Sequence, residues 1–166
     1  IARGMWQGER GSEESFAGRQ FSATRLLNVP QSISRPGVPI MIGGGGEKRT
    51  LRLVARYADG SNMFGGPDQL RHKYAVLAGH CAAEGRPFEA IERSTLQSVG
   101  LFEPHPFQPT TETPDQIVDR FGKLAEAGVQ HVIINTNDAH NPDAMSLLAD
   151  KILPQLRGIE PADPTR

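Results

Sequence analysis

The sequence predicts an α/β fold built on a parallel sheet, and three observations carry that prediction. Short strand-forming runs centre near Ile40, Asn62, Gln97 and Ile133. Each is followed by apolar residues at helical spacing or by a loop. Glycine and proline punctuate the boundaries, at Gly43 to Gly46, Gly65-Gly66, Gly85 with Pro87, and Gly128. Strand alternating with helix calls for parallel strands joined by right-handed crossovers. Four such units make half of an eight-fold barrel, or a small open sheet.

Residues 1–37 read as loop and extended connector. Residues 1–6 are compatible with the last turn of a helix, and residues 8–15 are polar and read as a loop. Residues 16–27 have a mild extended character around Phe21, with Gly18 as a turn. Pro30, Pro36 and Pro39 then make residues 28–39 an extended lead into the first strand.

Residues 38–157 carry the regular pattern. Residues 38–42, Val-Pro-Ile-Met-Ile, form a short apolar run bounded by turn residues and read as a buried strand. Four glycines follow. Leu51, Val54, Ala55 and Ala58 then recur at helical spacing, with Arg49, Arg52 and Arg56 between them. Asp59-Gly60 breaks that helix, and residues 61–64 make a very short strand. Pro67 opens a second helix at a favourable first-turn position. Its stripe is Leu70, Tyr74, Leu77 and Cys81, and it ends near Gly85. Residues 87–91 are a turn or short helix, and residues 94–102 are a third strand. Residues 103–113 form a loop rich in Pro and Thr, long enough to cover a site or to remain disordered. Thr113-Pro114-Asp115 combines an N-cap, a first-turn proline and a helix-start carboxylate. The helix it starts carries Ile117, Phe121, Leu124 and Ala125 and stops at Gly128. Residues 129–134 are the fourth strand and residues 135–141 a polar loop. A last helix spans 143–156 with Met145, Leu148, Ile152 and Leu153 inward. Residues 158–166 are a C-terminal tail.

Composition narrows the function classes. Lys plus Arg is 18 and Asp plus Glu is 19, a net charge of −1, so there is no bulk electrostatic pull toward nucleic acid or a membrane surface. The 166 residues suit one domain of ordinary size with a real core. Cys81 is the single cysteine, so an intrachain disulfide is impossible and a reducing cytoplasm fits. No apolar stretch approaches the roughly 20 residues of a membrane span, and no signal peptide is seen. The first residue is Ile1 rather than Met, so the chain is expected to begin inside a longer protein, or to have been processed or trimmed.

The glycine stretch is the strongest chemical signal. A strand, a glycine turn and a helix start bring backbone N–H groups and the positive end of a helix dipole together. Such a site suits a phosphate. The plain alternative is a tight strand-to-helix turn without a ligand. The turn is neither the six-residue dinucleotide fingerprint nor a P-loop, since no Gly-Lys-Ser/Thr closes it. Lys48 and Arg49 would add charge for a phosphate, or form a solvated helix face. Thr50 would add a hydroxyl, or merely cap.

The stretch 39–66, from Pro-Ile-Met-Ile-Gly-Gly-Gly-Gly-Glu-Lys-Arg-Thr to Ala-Asp-Gly-Ser-Asn-Met-Phe-Gly-Gly, resembles the bacterial luciferase-like oxidoreductases. It is most similar to the branch that uses the deazaflavin coenzyme F420. Residues 67–86, through His80-Cys81 to Gly85-Arg86, and Glu126-Ala-Gly-Val129 resemble that branch too. The resemblance spans about Arg35 to Leu156, and the glycine turn followed by Ala58-Asp59-Gly60 is its most specific pair. It implies a TIM-type (β/α)8 barrel that binds F420, or alternatively FMN, at the C-terminal ends of its strands. This chain then holds strands five to eight. The glycine turn would lie at the coenzyme phosphate, which assigns Gly43, Gly44, Gly45 and Gly46 to coenzyme binding, with Glu47, Lys48 and Thr50 beside them. Asn62, on the matching short strand, would face the ring system. Strands one to four have no counterpart, so no catalytic residue is assigned.

Other chemistry-bearing residues have plainer readings. His131 and His140, at the start of the last strand and in the loop after it, read as surface histidines, with a catalytic role as the alternative. His72 and His80 lie on one helix with no carboxylate arranged for a metal, so no metal is expected. Cys81 falls on a buried stripe and reads as a small hydrophobe. Asn135, Asn137 and Asp138 end the last strand, where barrel sites cluster, or are ordinary loop chemistry.

The leading expectation is an oxidoreductase passing hydride between F420 and a small organic substrate. An FMN-dependent monooxygenase of the same fold is the alternative. A non-catalytic half-barrel that binds a phosphate ligand or a partner chain is the third reading. The expected partner is a second copy or the missing N-terminal half of the same polypeptide, with no nucleic acid and no membrane.

Overall fold

Four parallel strands organise the larger part of the chain: β5 (Met41–Gly43), β6 (Gly60–Met63), β7 (Glu92–Ser98) and β8 (His131–Asn135). They pair in sequential order, β5-β6-β7-β8. The computed structural model describes residues 1–12, 14–34 and 37–164. Glu13, Arg35, Pro36, Thr165 and Arg166 lie outside the described residues. The expected loop at 8–15, the extended lead at 28–39, the start of the family resemblance near Arg35 and the tail are therefore described only in part.

The chain divides into two units, Ile1–Pro39 and Ile40–Arg166. The first was expected as loop and connector, with a helix turn within residues 1–6 and a mild extended character over 16–27. A short helix, α1 (Ala2–Met5), stands where the helix turn was expected, and the rest holds four two-residue strands: β1 (Gly11–Ser12), β2 (Phe16–Ala17), β3 (Ser22–Ala23) and β4 (Leu26–Leu27). β1 pairs antiparallel with β4, and β2 with β3. Gly11 pairs with Leu27 and Phe16 with Ala23, so one hairpin ladder is nested inside another. Strands this short carry no readable alternation, which is why the sequence pattern missed them. The Gln31 side chain ties the unit together by donating to the carbonyls of Met5 (2.8 Å) and Gln7 (3.3 Å).

In the second unit the helices are α2 (Thr50–Tyr57), α3 (Pro67–Ala83), α4 (Pro114–Glu126), α5 (Pro142–Leu147) and α6 (Leu153–Leu156). The register gives the sheet two unlike faces. Gly43 aligns with Asn62, Asn62 with Ser94, and Ser94 with His131. Because side chains alternate along a strand, Ile42, Met63, Thr95, Val132 and Ile134 share the face that packs on the helices. Leu51, Val54, Leu70, Tyr74, Leu77, Ile117 and Ile152 are fully buried against that face. The opposite face carries Met41, Asn62, Ser94, Leu96, Ile133 and Asn135. Met41 is 51% exposed and Ile133 37%. Sequential parallel order with right-handed crossovers puts every helix on one side. A doubly wound sheet would be covered on both faces. The fold is half of a TIM-type barrel, strands five to eight, and its inner face is open at Met41 and Ile133 but closed around Ser94.

Several boundaries differ from expectation, and three of the differences have a visible cause. β5 starts at Met41 rather than Val38. Pro39 has no N–H for a ladder, and the Ile40 N–H is taken by the Asp59 carboxylate at 2.8 Å. The third strand ends at Ser98 rather than Phe102, because the amides of Leu101, Phe102 and Glu103 turn to bond the Asp138 carboxylate. The last helix is not continuous. A π-turn, Leu148–Ile152, separates α5 from α6. Pro154 lacks an N–H and would collide with the carbonyl four residues back, and the widened turn accommodates it. At α4, the expected cap forms in full: Gln116 N–H donates to Thr113 Oγ1 at 3.3 Å and Thr113 N–H donates to Gln116 Oε1 at 2.8 Å.

Candidate functional site

The glycine turn sits at the C-terminal end of β5. Gly43 pairs with Asn62 in the sheet, and the Gly44 N–H donates to the Asn62 carbonyl at 2.8 Å. Gly44 has φ +111°, a conformation that a side chain strains. A Cβ on Gly46 would stand 2.9 Å from Thr50 Oγ1, whereas one on Gly45 would meet only the Lys73 stem, at 3.7 Å. The turn hands over directly to α2, with the Leu51 N–H donating to the Gly46 carbonyl at 3.0 Å. The N-cap of α2 is Arg49, which makes no side-chain cap, and the first turn holds no acidic residue. The positive end of this helix is thus not neutralised from within its own turn.

Ala58-Asp59-Gly60, recognised in sequence as a signature, closes the other side of the same unit. The amides of Asp59 and Gly60 both donate to the Ile40 carbonyl, at 2.7 and 3.1 Å. Arg86 latches the junction by donating to the Ala55 and Ala58 carbonyls, at 3.3 and 2.5 Å.

The candidate coenzyme residues separate into two groups. Gly43, Gly44, Gly45, Gly46, Thr50 and Asn62 come together at one strand end. Asn62 lies on the inner face, and its amide donates to Ser94 Oγ at 3.0 Å. Lys48 and Arg49 are exposed beside the turn. Glu47, in contrast, is drawn to α3. Lys73 Nζ donates to its carboxylate at 2.5 Å and His72 Nε2 lies 3.2 Å from it. The Glu47 carbonyl bonds His80 Nε2 at 2.7 Å. The bond and charge of Lys73 hold the Glu47 carboxyl below its usual range; partial desolvation opposes this and His72 adds to it. Glu47 therefore anchors the turn to α3. In sequence His72 and His80 are visible only as two histidines of one helix without a metal site, and nothing singles out Lys73. Their partner Glu47, 25 to 33 residues away, is not visible there.

The remaining candidates fall elsewhere. His131 starts β8, at the end of the sheet opposite the glycine turn, and its Nδ1 lies 2.9 Å from Glu92 Oε1. His140 is exposed in the short 3-10 turn Asn137–His140. Asp138 is fully buried. Burial pushes its carboxyl up, but the amides of Leu101, Phe102 and Glu103 and the Thr136 hydroxyl outweigh this and hold it below the usual range. Asn137 donates to the Pro104 carbonyl at 3.0 Å. These two residues brace loops. Cys81 is buried and its thiol is pushed up by burial, as befits a packing residue. Among the described residues no group of three His, Cys, Asp or Glu is placed to hold a metal ion, and no helix is long and apolar enough to cross a membrane.

Comparison with known proteins follows the same lines. The family model described as luciferase-like monooxygenase matches residues 1–103. No curated protein matches the chain by sequence. Among solved structures, the chain is similar to the coenzyme F420-dependent tetrahydromethanopterin reductase from Methanopyrus kandleri, at 13% identity and a TM-score of 0.75, over 93% of this chain and 61% of that one. An F420-dependent secondary alcohol dehydrogenase, in complex with an F420–acetone adduct, is similar at 13% identity and a TM-score of 0.74, over 93% and 58%. A riboflavin lyase with modified FMN and riboflavin is similar at 13% identity and a TM-score of 0.74, over 98% and 57%. The chain thus spans 57–61% of the length of these structures.

Proposed function

The chain belongs to the luciferase-like monooxygenase family, and from that premise we propose that it supplies the coenzyme-phosphate half of an oxidoreductase site, with F420 as coenzyme and a small organic molecule as hydride partner. The single observation that carries the reading is the turn at residues 43–46. It stands at the C-terminal end of a parallel strand, with a glycine at positive φ and a helix start without a side-chain cap behind it. The donor set fits a phosphate. The amides of the turn and the start of α2 would offer backbone N–H donors and a positive dipole end, and the Glu47 carboxylate beside them is already paired with Lys73.

The bound coenzyme would supply the hydride chemistry. The residues of this chain position it: the turn would hold the phosphate, and Asn62, fixed by Ser94, would present its carbonyl oxygen along the inner face. FMN carries a phosphate too, so the turn alone favours neither. F420 adds an acidic tail beyond the phosphate. Lys48 and Arg49 are exposed next to the turn, whereas Arg52 lies 3.4 Å from Glu84. Two cations on that side favour F420 over FMN.

Gly45→Val tests the reading. Its side chain would meet only the flexible Lys73 stem, so the fold should hold. Calorimetric titration should show F420 or FMN affinity in the complete protein falling by about tenfold or more, equivalent to roughly 1.4 kcal/mol. Unchanged affinity for both would overturn the phosphate-site reading.

A further inference from the structure

A cleft of about 500 Å3 opens at the C-terminal ends of β6, β7 and β8. Phe64, Leu96 and Phe107 give it apolar walls, and Gln97, Arg120 and Asn135 contribute polar groups. Phe64 is 65% exposed and Phe107 83%, so two phenyl rings stand in solvent at one opening.

The polar groups are mostly engaged already. Arg120 is the only charged residue among the described residues lining the cleft. Its Nε and Nη2 donate to the two Glu112 oxygens at 2.8 and 2.7 Å, Nη1 to Gln97 Oε1 at 3.1 Å, and Nη2 to the Ser98 carbonyl at 3.1 Å. The Glu112 side chain is only 9% exposed. An anionic ligand would have to compete with a bidentate, nearly buried carboxylate. Gln97 Nε2 is likewise committed, to the Gly65 carbonyl and Thr95 Oγ1. Asn135, exposed at the end of β8, offers one amide donor pair and one acceptor.

We propose that this cleft is the substrate subsite and selects a neutral, largely apolar molecule, its ring or alkyl body against Phe64 and Phe107 and its single polar group toward Asn135. The inference rests on reading the C-terminal strand ends as the reaction site, and it adds the class of substrate. Arg120 is a positioning residue here: with Glu112 it closes the floor and holds Gln97, and it carries no free charge for a ligand.

The test is equilibrium dialysis of the complete protein, freed of coenzyme, against 2-acetonaphthone and 2-naphthoate. The two probes share a ring system and differ in charge. Saturable binding of 2-acetonaphthone is expected, with 2-naphthoate at least about tenfold weaker. Phe64→Ala and Phe107→Ala should each weaken 2-acetonaphthone by about threefold or more, and Met41→Ala, on the open inner face, should not. Circular dichroism checks that each variant keeps its fold; Phe107, in an exposed loop, secures the test if Phe64→Ala does not fold. Glu112→Gln should release Arg120 and narrow the gap between the probes. Equal or tighter binding of 2-naphthoate by the unaltered chain, loss of binding in Met41→Ala instead of the Phe variants, or no saturable binding would overturn the proposal. No coenzyme is present, so these failures leave the glycine-turn reading standing. Failure of Gly45→Val to weaken coenzyme binding would leave the cleft standing.

Discussion

Adjacent glycines in one turn do different work. Gly44 has φ +111°, so any side chain there strains the backbone, by about 1–3 kcal/mol for such conformations. Gly45 carries no such restriction and has room for a Cβ. Gly44→Ala should therefore lower the melting temperature clearly, while Gly45→Val leaves it nearly unchanged and acts on binding. Equal melting temperatures for both variants would refute the division. Glu47 gives a second residue-scale prediction. Lys73 depresses its carboxyl in the folded chain, with His72 and His80 packed on the same segment. A depressed carboxyl stabilises the fold fully above its ordinary value of 4.5, and the contribution is lost as pH falls through the lower folded value. Glu47→Gln should thus be less stable than the parent chain at pH 6. Below about 4.5 that difference should shrink, as thermal melts at a series of pH values would show. A difference that stayed constant down to pH 3 would remove Glu47 from the account.

At the scale of elements, the loop after β7 is held by the loop after β8. Asp138, fully buried, takes three consecutive amides of residues 101–103 at 2.8, 3.2 and 3.0 Å. This arrangement aims residues 103–112 over the strand ends, including Phe107 of the cleft. Asp138→Ala leaves the buried Leu101 amide and the part-buried amides of Phe102 and Glu103 without this partner and should cost on the order of 1–3 kcal/mol. Hydrogen exchange should show the amides of Leu101, Phe102 and Glu103 losing protection first. If protection were lost evenly over the sheet, the brace would be no local device. The start of α4 is a smaller case: Thr113→Ala removes the capping oxygen from a box whose two bonds are both formed, at a cost of about 1 kcal/mol.

For the whole molecule, the partly open inner face is the dominant feature. Met41 and Ile133 lie open on it, and among the described residues β5 and β8 are unpaired edges of a parallel sheet. Parallel sheets are normally covered on both faces, and open edges pair with something. The 166-residue chain by itself is expected to self-associate or to be marginally stable. Light scattering that found a stable monomer with a sharp thermal transition would favour an independent small α/β domain. The complete protein carries the salt prediction. If exposed Lys48 and Arg49 meet an acidic coenzyme tail, the preference for F420 over FMN should shrink as ionic strength rises, because exposed charges are screened. Dissociation constants for both coenzymes at low and high salt decide this; equal affinities at low salt, or tighter FMN, would bring the FMN-dependent monooxygenase reading forward.

The sequence by itself determined the order of strands and helices in residues 40–156, the parallel sheet, the capped start of α4 and the glycine turn. All of these are local: a stripe every three or four residues, a run of β-branched residues, or a proline after a threonine acts within one turn or strand. Residues 1–37 escaped that reading because a two-residue strand has no periodicity. The tertiary structure decided everything that depends on distant partners. Glu47 is claimed by Lys73 across 26 residues and Asp138 by the loop 35–37 residues before it. Arg120 is neutralised by Glu112, which lies before the helix that carries it. Which face of the sheet stays open, and that Phe64 and Phe107 line one cleft, follow from register and packing. Opposite charges and apolar rings carry no address along the chain; only the folded backbone brings particular ones within a few ångströms.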